Sequence, residues 1–223
     1  MGIRACLSAV LFLILVTPGR ANDVPLHLHK SIISQTQDKC VRRTSDVLRR
    51  IGGENIQDLA QGHSDFVYGE VPRHGTVMVY CVPAQGGVQF VVVSASTVGA
   101  AARTLTKSVA SDVVGSQIAN LGNPFEGAGF VPMNARKAAI NQTQSQCARR
   151  AAAVLRDKGA QDLQTNPDFI FGVLPGQATV AMYCIPMDPG QTQLFAIVGS
   201  KDGNVATEVR RDIQRSMGVA QVD

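Results

Sequence analysis

The sequence predicts an α+β protein made of two tandem homologous units, each an antiparallel sheet with a disulfide-pinned N-terminal helix and a C-terminal helix. Three observations predict this. First, the chain repeats itself: residues 34–50 and 141–157 agree at 9 of 17 positions, and residues 65–83 and 168–186 at 9 of 19. Chance would give only a few identities, so the chain carries a duplication. Second, each copy passes from helical spacing of apolar residues to short β-branched and aromatic runs and back to helical spacing. Third, each copy places one cysteine in its first helix and one in a strand.

The chain opens on a segment that precedes the fold. Arg4, the apolar run "ACLSAVLFLILV" and the small residues Gly19 and Ala21 read as a signal peptide over residues 1–21. Residues 22–33 then read as an N-terminal extension, 34–112 as the first unit, 113–138 as a linker and 139–223 as the second unit. Removing Arg4 and Arg20 lowers the formal charge from +4 to +2, too little for a nucleic-acid footprint. No later run is apolar and long enough to cross a bilayer as a helix, so no transmembrane anchor is expected after cleavage.

Ser34 and Asn141, each followed three residues on by Gln37 or Gln144, read as N-caps of a capping box. Within the first helix Cys40, Thr44, Val47, Leu48 and Ile51 recur at helical spacing. Cys147, Ala151, Val154 and Leu155 do the same in the second copy. Gly52–Gly53 and Gly159 suit left-handed helix ends. "NIQDL" and "AQDL" suggest a short edge strand. "DFVYGEV" and "DFIFGVL" read as strands ending before Pro72 and Pro175. "TVMVYCV" and "TVAMYCI" read as strands closed by Pro83 and Pro186. A further strand and a helix, near 98–111 or 205–216, complete an α-β-β-β-β-α unit.

Strand alternation puts Val77, Val79 and Cys81 on one face, echoed by Val180, Met182 and Cys184. If that face meets the helix, Cys40 pairs with Cys81 and Cys147 with Cys184. Four cysteines allow three pairings. Only the within-copy one lets a single ancestral unit carry its own staple. Four remaining cysteines and a signal peptide together imply a periplasmic or secreted protein. The other strand face carries Met78, Tyr80 and Val82, echoed by Ala181, Tyr183 and Ile185. It is too apolar to stay wet, so either the other copy covers it, giving a monomeric pseudo-dimer, or a partner does.

The chemistry-bearing residues form no familiar constellation. His27 and His29 point the same way on an extended chain and are weak candidates for a metal; two ligands make no closed site, so no metal and no cofactor are expected. No C-x-x-C occurs. His63, Ser64 and Asp65 are adjacent in sequence, which separates their side chains on a strand. Asp58 and Asp162, like Asp65 and Asp168, recur at turns, where aspartate caps amides. Arg42–Arg43 and Arg49–Arg50, with Arg149–Arg150 in the second copy, are the repeated cations. With Met78, Tyr80 and Tyr183 they outline a possible partner surface.

The reading is a non-enzymatic secreted or periplasmic interaction or accessory protein, binding another protein or an envelope component and not nucleic acid. One alternative is a small-ligand or metal-binding protein with a site between the two repeats. A second is a hydrolase with an unrecognised site.

Overall fold

A computed structural model describes residues 24–58, 65–84, 86–115, 120–187 and 189–219. The signal peptide, His63 and Ser64 lie outside these residues. The elements run β1 (Leu26–Ile33), α1 (Gln37–Arg50), β2 (Glu54–Gln57), β3 (Phe66–Val71), β4 (Gly75–Ala84), β5 (Gly87–Ala95) and α2 (Gly99–Val114). The second copy repeats them as β6 (Met133–Ile140), α3 (Gln144–Asp157), β7 (Gln161–Thr165), β8 (Phe169–Leu174), β9 (Ala178–Pro186), β10 (Thr192–Gly199) and α4 (Gly203–Ser216).

Each unit therefore begins one strand earlier than its sequence suggests. The stretch read as an extension supplies β1, and the end of the stretch read as a linker supplies β6. Both pair antiparallel with the last strand of their own unit, Leu26 opposite Ala95 and Met133 opposite Gly199. The signal was weak because these are edge strands, half wet, and "MNARKAAI" offers few β-branched residues. Two five-stranded sheets result, ordered β1-β5-β4-β3-β2 and β6-β10-β9-β8-β7.

The extra strand also moves the helix cap. Ser34 and Asn141 sit in the bend that leaves the strand, where Gln35 and Gln142 donate their amides to Ile33 and Ile140. Thr36 and Thr143 are the N-caps instead, their hydroxyls accepting from the amides of Lys39 and Gln146. Only the second copy closes a full capping box, between Thr143 and Gln146. The repeated glutamine has another task. Gln37 donates its side-chain amide to the carbonyl of Cys81 at 2.9 Å, and Gln144 does the same to Cys184 at 3.0 Å. Each first helix is thus tied to its sheet by a hydrogen bond beside a disulfide, Cys40–Cys81 or Cys147–Cys184. Closing loops with separations of 41 and 37 residues stabilises each unit by roughly 4 kcal/mol through the unfolded chain.

Helices α1 and α2 bury their apolar stripes on one face of the first sheet, around Leu48, Phe90 and Leu105. Helices α3 and α4 do so on the second, around Leu155, Leu194 and Ile213. The two remaining sheet faces meet. Met78, Tyr80, Val82, Val91 and Val93 pack against Phe171, Ala181, Tyr183, Phe195 and Ile197 in a third core. The Tyr80 and Phe195 rings meet across it edge to face, 4.6 Å apart. The layers are therefore helices, sheet, sheet, helices, with one copy covering the other.

The contacts across this interface come in reciprocal pairs, as an approximate twofold requires. Lys30 on β1 pairs with Asp168 before β8, and Lys137 on β6 pairs with Asp65 before β3. Thr179 donates its hydroxyl to the carbonyl of Val24 at 2.8 Å, while Thr76 accepts from the amide of Val131 at 3.2 Å. The recurring aspartates at 65 and 168 thus hold the copies together, and their backbone carbonyls accept from the amides of Cys81 and Cys184. The segment between the copies lies against the first unit. Phe125 packs edge-on against His74, and Thr97 bonds the backbone of Gly127 and Gly129.

Candidate functional site

A twofold interface between identical sheets would have two identical edges. At one, β1 of the first copy faces β8 of the second. At the other, β6 faces β2 and β3. The first edge is shut. Leu26, Phe171 and Val173 are only 2–3% exposed and belong to the inter-sheet core, with Leu28 against them.

The second edge is open. The repeat puts Tyr68 where the other edge has Phe171, Glu70 where it has Val173, Met133 for Leu26 and Ala135 for Leu28. These residues are only half-buried. With Asn55, Phe66, Met78 and Tyr80 they line a cavity of about 660 Å³. That size suits a small organic molecule. Two of the four replacements exchange an apolar side chain for a polar one, and two trim or straighten a branched leucine. Both kinds of change work against a dry seal.

The polar groups of the cleft are ordered around Glu70. Its Oε1 accepts from the Tyr68 hydroxyl at 2.8 Å, and its Oε2 accepts from the Asn55 amide nitrogen at 2.6 Å. Asn55 is held for this at φ 50°, a left-handed turn that asparagine tolerates, where the pairing of β2 and β3 shifts register. Burial, then the hydrogen bond and charge of Glu70, push the Tyr68 phenol up, so Tyr68 remains a donor at neutral pH. Burial pushes Tyr80 up likewise. Its ring stands 5.8 Å from that of Phe66 at the back of the cleft.

A second hollow, of about 520 Å³, lies on the outside of α3. Ala148 and Ala152 line it together with Arg149, Arg156, Thr165 and Asn166. In the first copy Arg49 stands where Arg156 does and bonds Asp58 at 2.7 Å. Thr165 takes the place of that aspartate by strand register, since Glu54 faces Glu70 as Gln161 faces Val173. Asp162 therefore corresponds to Asn55, not to Asp58. Both Asn55 and Asp162 take the same left-handed conformation.

The other residues singled out by sequence are dispersed. Arg50 bonds Asp112 at 2.8 Å. Arg150 donates to the carbonyl of Ser216 at 3.1 Å, at the end of α4. Arg43 lies equivalently against Gly115 at the end of α2. Cations there complement the helix dipole. Arg42 and Arg149 are exposed. Met78, Tyr80 and Tyr183 are buried between the sheets, where their neighbour is the other copy, so they are not continuous with the arginines on the helices. His27 and His29 face α2. Burial, with the charges of Arg103 and Lys107, lowers His27 to about 4, and burial lowers His29. No group of three His, Cys, Asp or Glu side chains placed to hold a metal occurs among the described residues.

Sequence reading left Glu70, Tyr68 and Asn55 unremarked. The available signal was the mismatch between copies, "FVYGEV" against "FIFGVL", inside a block that is otherwise well matched.

No protein-family model and no curated protein matches the chain. Among solved structures, the di-domain ARO/CYC protein BexL of the BE-7585A biosynthetic pathway is similar over 89% of this chain and 99% of its own, at 11% identity and a TM-score of 0.24. A protein of the dynemicin biosynthetic locus is similar over 88% of this chain and 96% of its own, at 9% identity and a TM-score of 0.27. Superposition at that level carries no functional conclusion across to this chain.

Proposed function

We propose that this is a non-enzymatic, secreted or periplasmic binding protein that takes a small molecule into the cleft between its two copies. The observation that carries the reading is the broken symmetry: one edge of the interface is sealed and its duplicate holds a polar-lined cavity of about 660 Å³. The location is supported by the two disulfides and the signal-like N-terminus. No helix among the described residues is long and apolar enough to cross a membrane. The test is a fragment screen by native mass spectrometry and thermal shift, run in parallel on the double variant Tyr68→Phe/Glu70→Val. That variant restores the two apolar side chains of the sealed edge in place of the two polar ones. Fragments should bind the parent protein and be lost from the double variant. Equal binding by both would remove the cleft as the site.

A second reading is docking of a protein or envelope component on the outside of α3. It is favoured by Arg149 and Arg156, which flank the second hollow in no ion pair among the described residues. Capture of a stoichiometric partner from envelope extract, lost on Arg149→Ala/Arg156→Ala, would establish it. Capture that survives the substitutions would place the contact elsewhere.

A further inference from the structure

We infer that the cleft recognises an organic ammonium group, with Glu70 as its counter-ion and the rings of Phe66, Tyr68 and Tyr80 as its walls. This rests on the reading of the cleft as a binding site and adds the chemistry of what enters it.

The argument starts from Glu70. A carboxylate offers about four acceptor positions, and the two donors it meets among the described residues, Tyr68 and Asn55, are both neutral. It makes no ion pair among the described residues, unlike Asp58, Asp65, Asp112 and Asp168. Its direct partner across the strands is Glu54, which is exposed. Like charges set opposite one another destabilise a strand pair. The corresponding pair in the second copy, Gln161 and Val173, carries no charge. The open edge therefore holds the Glu70 carboxylate in the wall of a cavity, in no ion pair among the described residues, with the exposed Glu54 as its neighbour across the strands.

The remaining lining selects the class of cation. Aromatic faces attract ammonium groups through the ring quadrupole, and the thioethers of Met78 and Met133 are soft and polarizable. A hard divalent ion needs six or more oxygen ligands, and the described residues assemble no such set. An anion would meet the Glu70 carboxylate. A neutral apolar ligand would strip water from Glu70 and return nothing for it. An alkylammonium head satisfies the carboxylate and the rings together.

The experiment compares choline, putrescine and butylamine with 3,3-dimethylbutan-1-ol, the neutral carbon isostere of choline. Binding to the disulfide-intact protein is followed by amide chemical shifts at Tyr68, Glu70 and Met133. The inference predicts saturable shifts with the ammonium compounds and at least tenfold weaker binding of the isostere. Glu70→Gln should weaken the ammonium compounds at least tenfold and leave the isostere unchanged. Equal binding of cation and isostere would overturn the ammonium assignment while leaving the cleft as a site. Failure of every ammonium compound, with other fragments still bound and lost from the sealed-edge double variant, would also overturn it and spare the cleft. Failure of both sets would overturn the two readings together. The comparison of cation with isostere on the parent protein stands even if Glu70→Gln folds poorly.

Discussion

Along one edge of the sheet–sheet interface Phe171, Val173 and Leu26 are packed shut. Along the other, Tyr68, Glu70 and Met133 occupy the matching places and line a cavity. The two edges descend from one sequence and answer to the same backbone. Residues that the fold needs are alike in both copies: the cysteines, the glutamines that bond their carbonyls, the lysines and aspartates that cross the interface. The open edge departs at positions where the fold would be better served by the apolar residue. That difference, which the shared fold does not call for, is the ground for proposing the open edge as a binding site.

The largest effect should separate the edges directly. Phe171→Ala should destabilise by about 3–5 kcal/mol, because a fully packed ring is lost from a core that has no room to relax. Tyr68→Ala, at the wet edge, should cost no more than about 2 kcal/mol. Urea unfolding of both variants measures the pair, and equal costs would mean that both edges are sealed.

A second contrast is in acid. His27 titrates at about 4 in the folded protein, below its ordinary 6.5. The unfolded chain therefore binds the extra proton first as pH falls. The contribution is present above about pH 6.5 and is lost between there and about 4, amounting to roughly 2–3 kcal/mol. His29, also lowered, acts in the same direction. The second copy has Asn134 in the place of His27. His27→Asn should therefore flatten the fall in stability over that window, as read by unfolding at a series of pH values. An unchanged slope would remove His27 as its cause.

Sealing the open edge should be favourable. Tyr68→Phe/Glu70→Val removes the opposition of Glu54 and Glu70 and adds a β-branched residue to a strand, worth about 1 kcal/mol in sum. Thermal unfolding should shift upward by a few degrees; a fall would mean that the polar residues support the fold itself. The smallest effect lies in what the copies share. Double-mutant cycles on Lys30–Asp168 and Lys137–Asp65 should give about 0.5–1 kcal/mol each, since both lysines are partly wet. The two values should agree, and both should shrink in high salt. A large inequality would break the pseudo-twofold description.

The sequence made the repeat, the disulfide pairing and the apolar second face legible because these follow from local rules: spacing, alternation and the even number of cysteines beyond residue 21. It placed the helix starts two residues early and missed β1 and β6. An edge strand needs only one apolar face and shows little pattern, so "LHLHKSII" and "MNARKAAI" read as connecting chain until their partners β5 and β10 are known. Alignment of the two copies ties each lysine to the other and each aspartate to the other, but not that each pair crosses to the opposite copy. The site was the least legible part. Tyr68 and Glu70 look like ordinary strand residues until Phe171 and Val173 are seen sealed in the equivalent place.

The most direct test of the asymmetry is an amide chemical-shift map of the disulfide-intact protein titrated with a mixture of small fragments. The account predicts that shifts gather at residues 66–70 and 133–135 and spare residues 169–173 and 26–28. Shifts at both edges alike, or at neither, would contradict it.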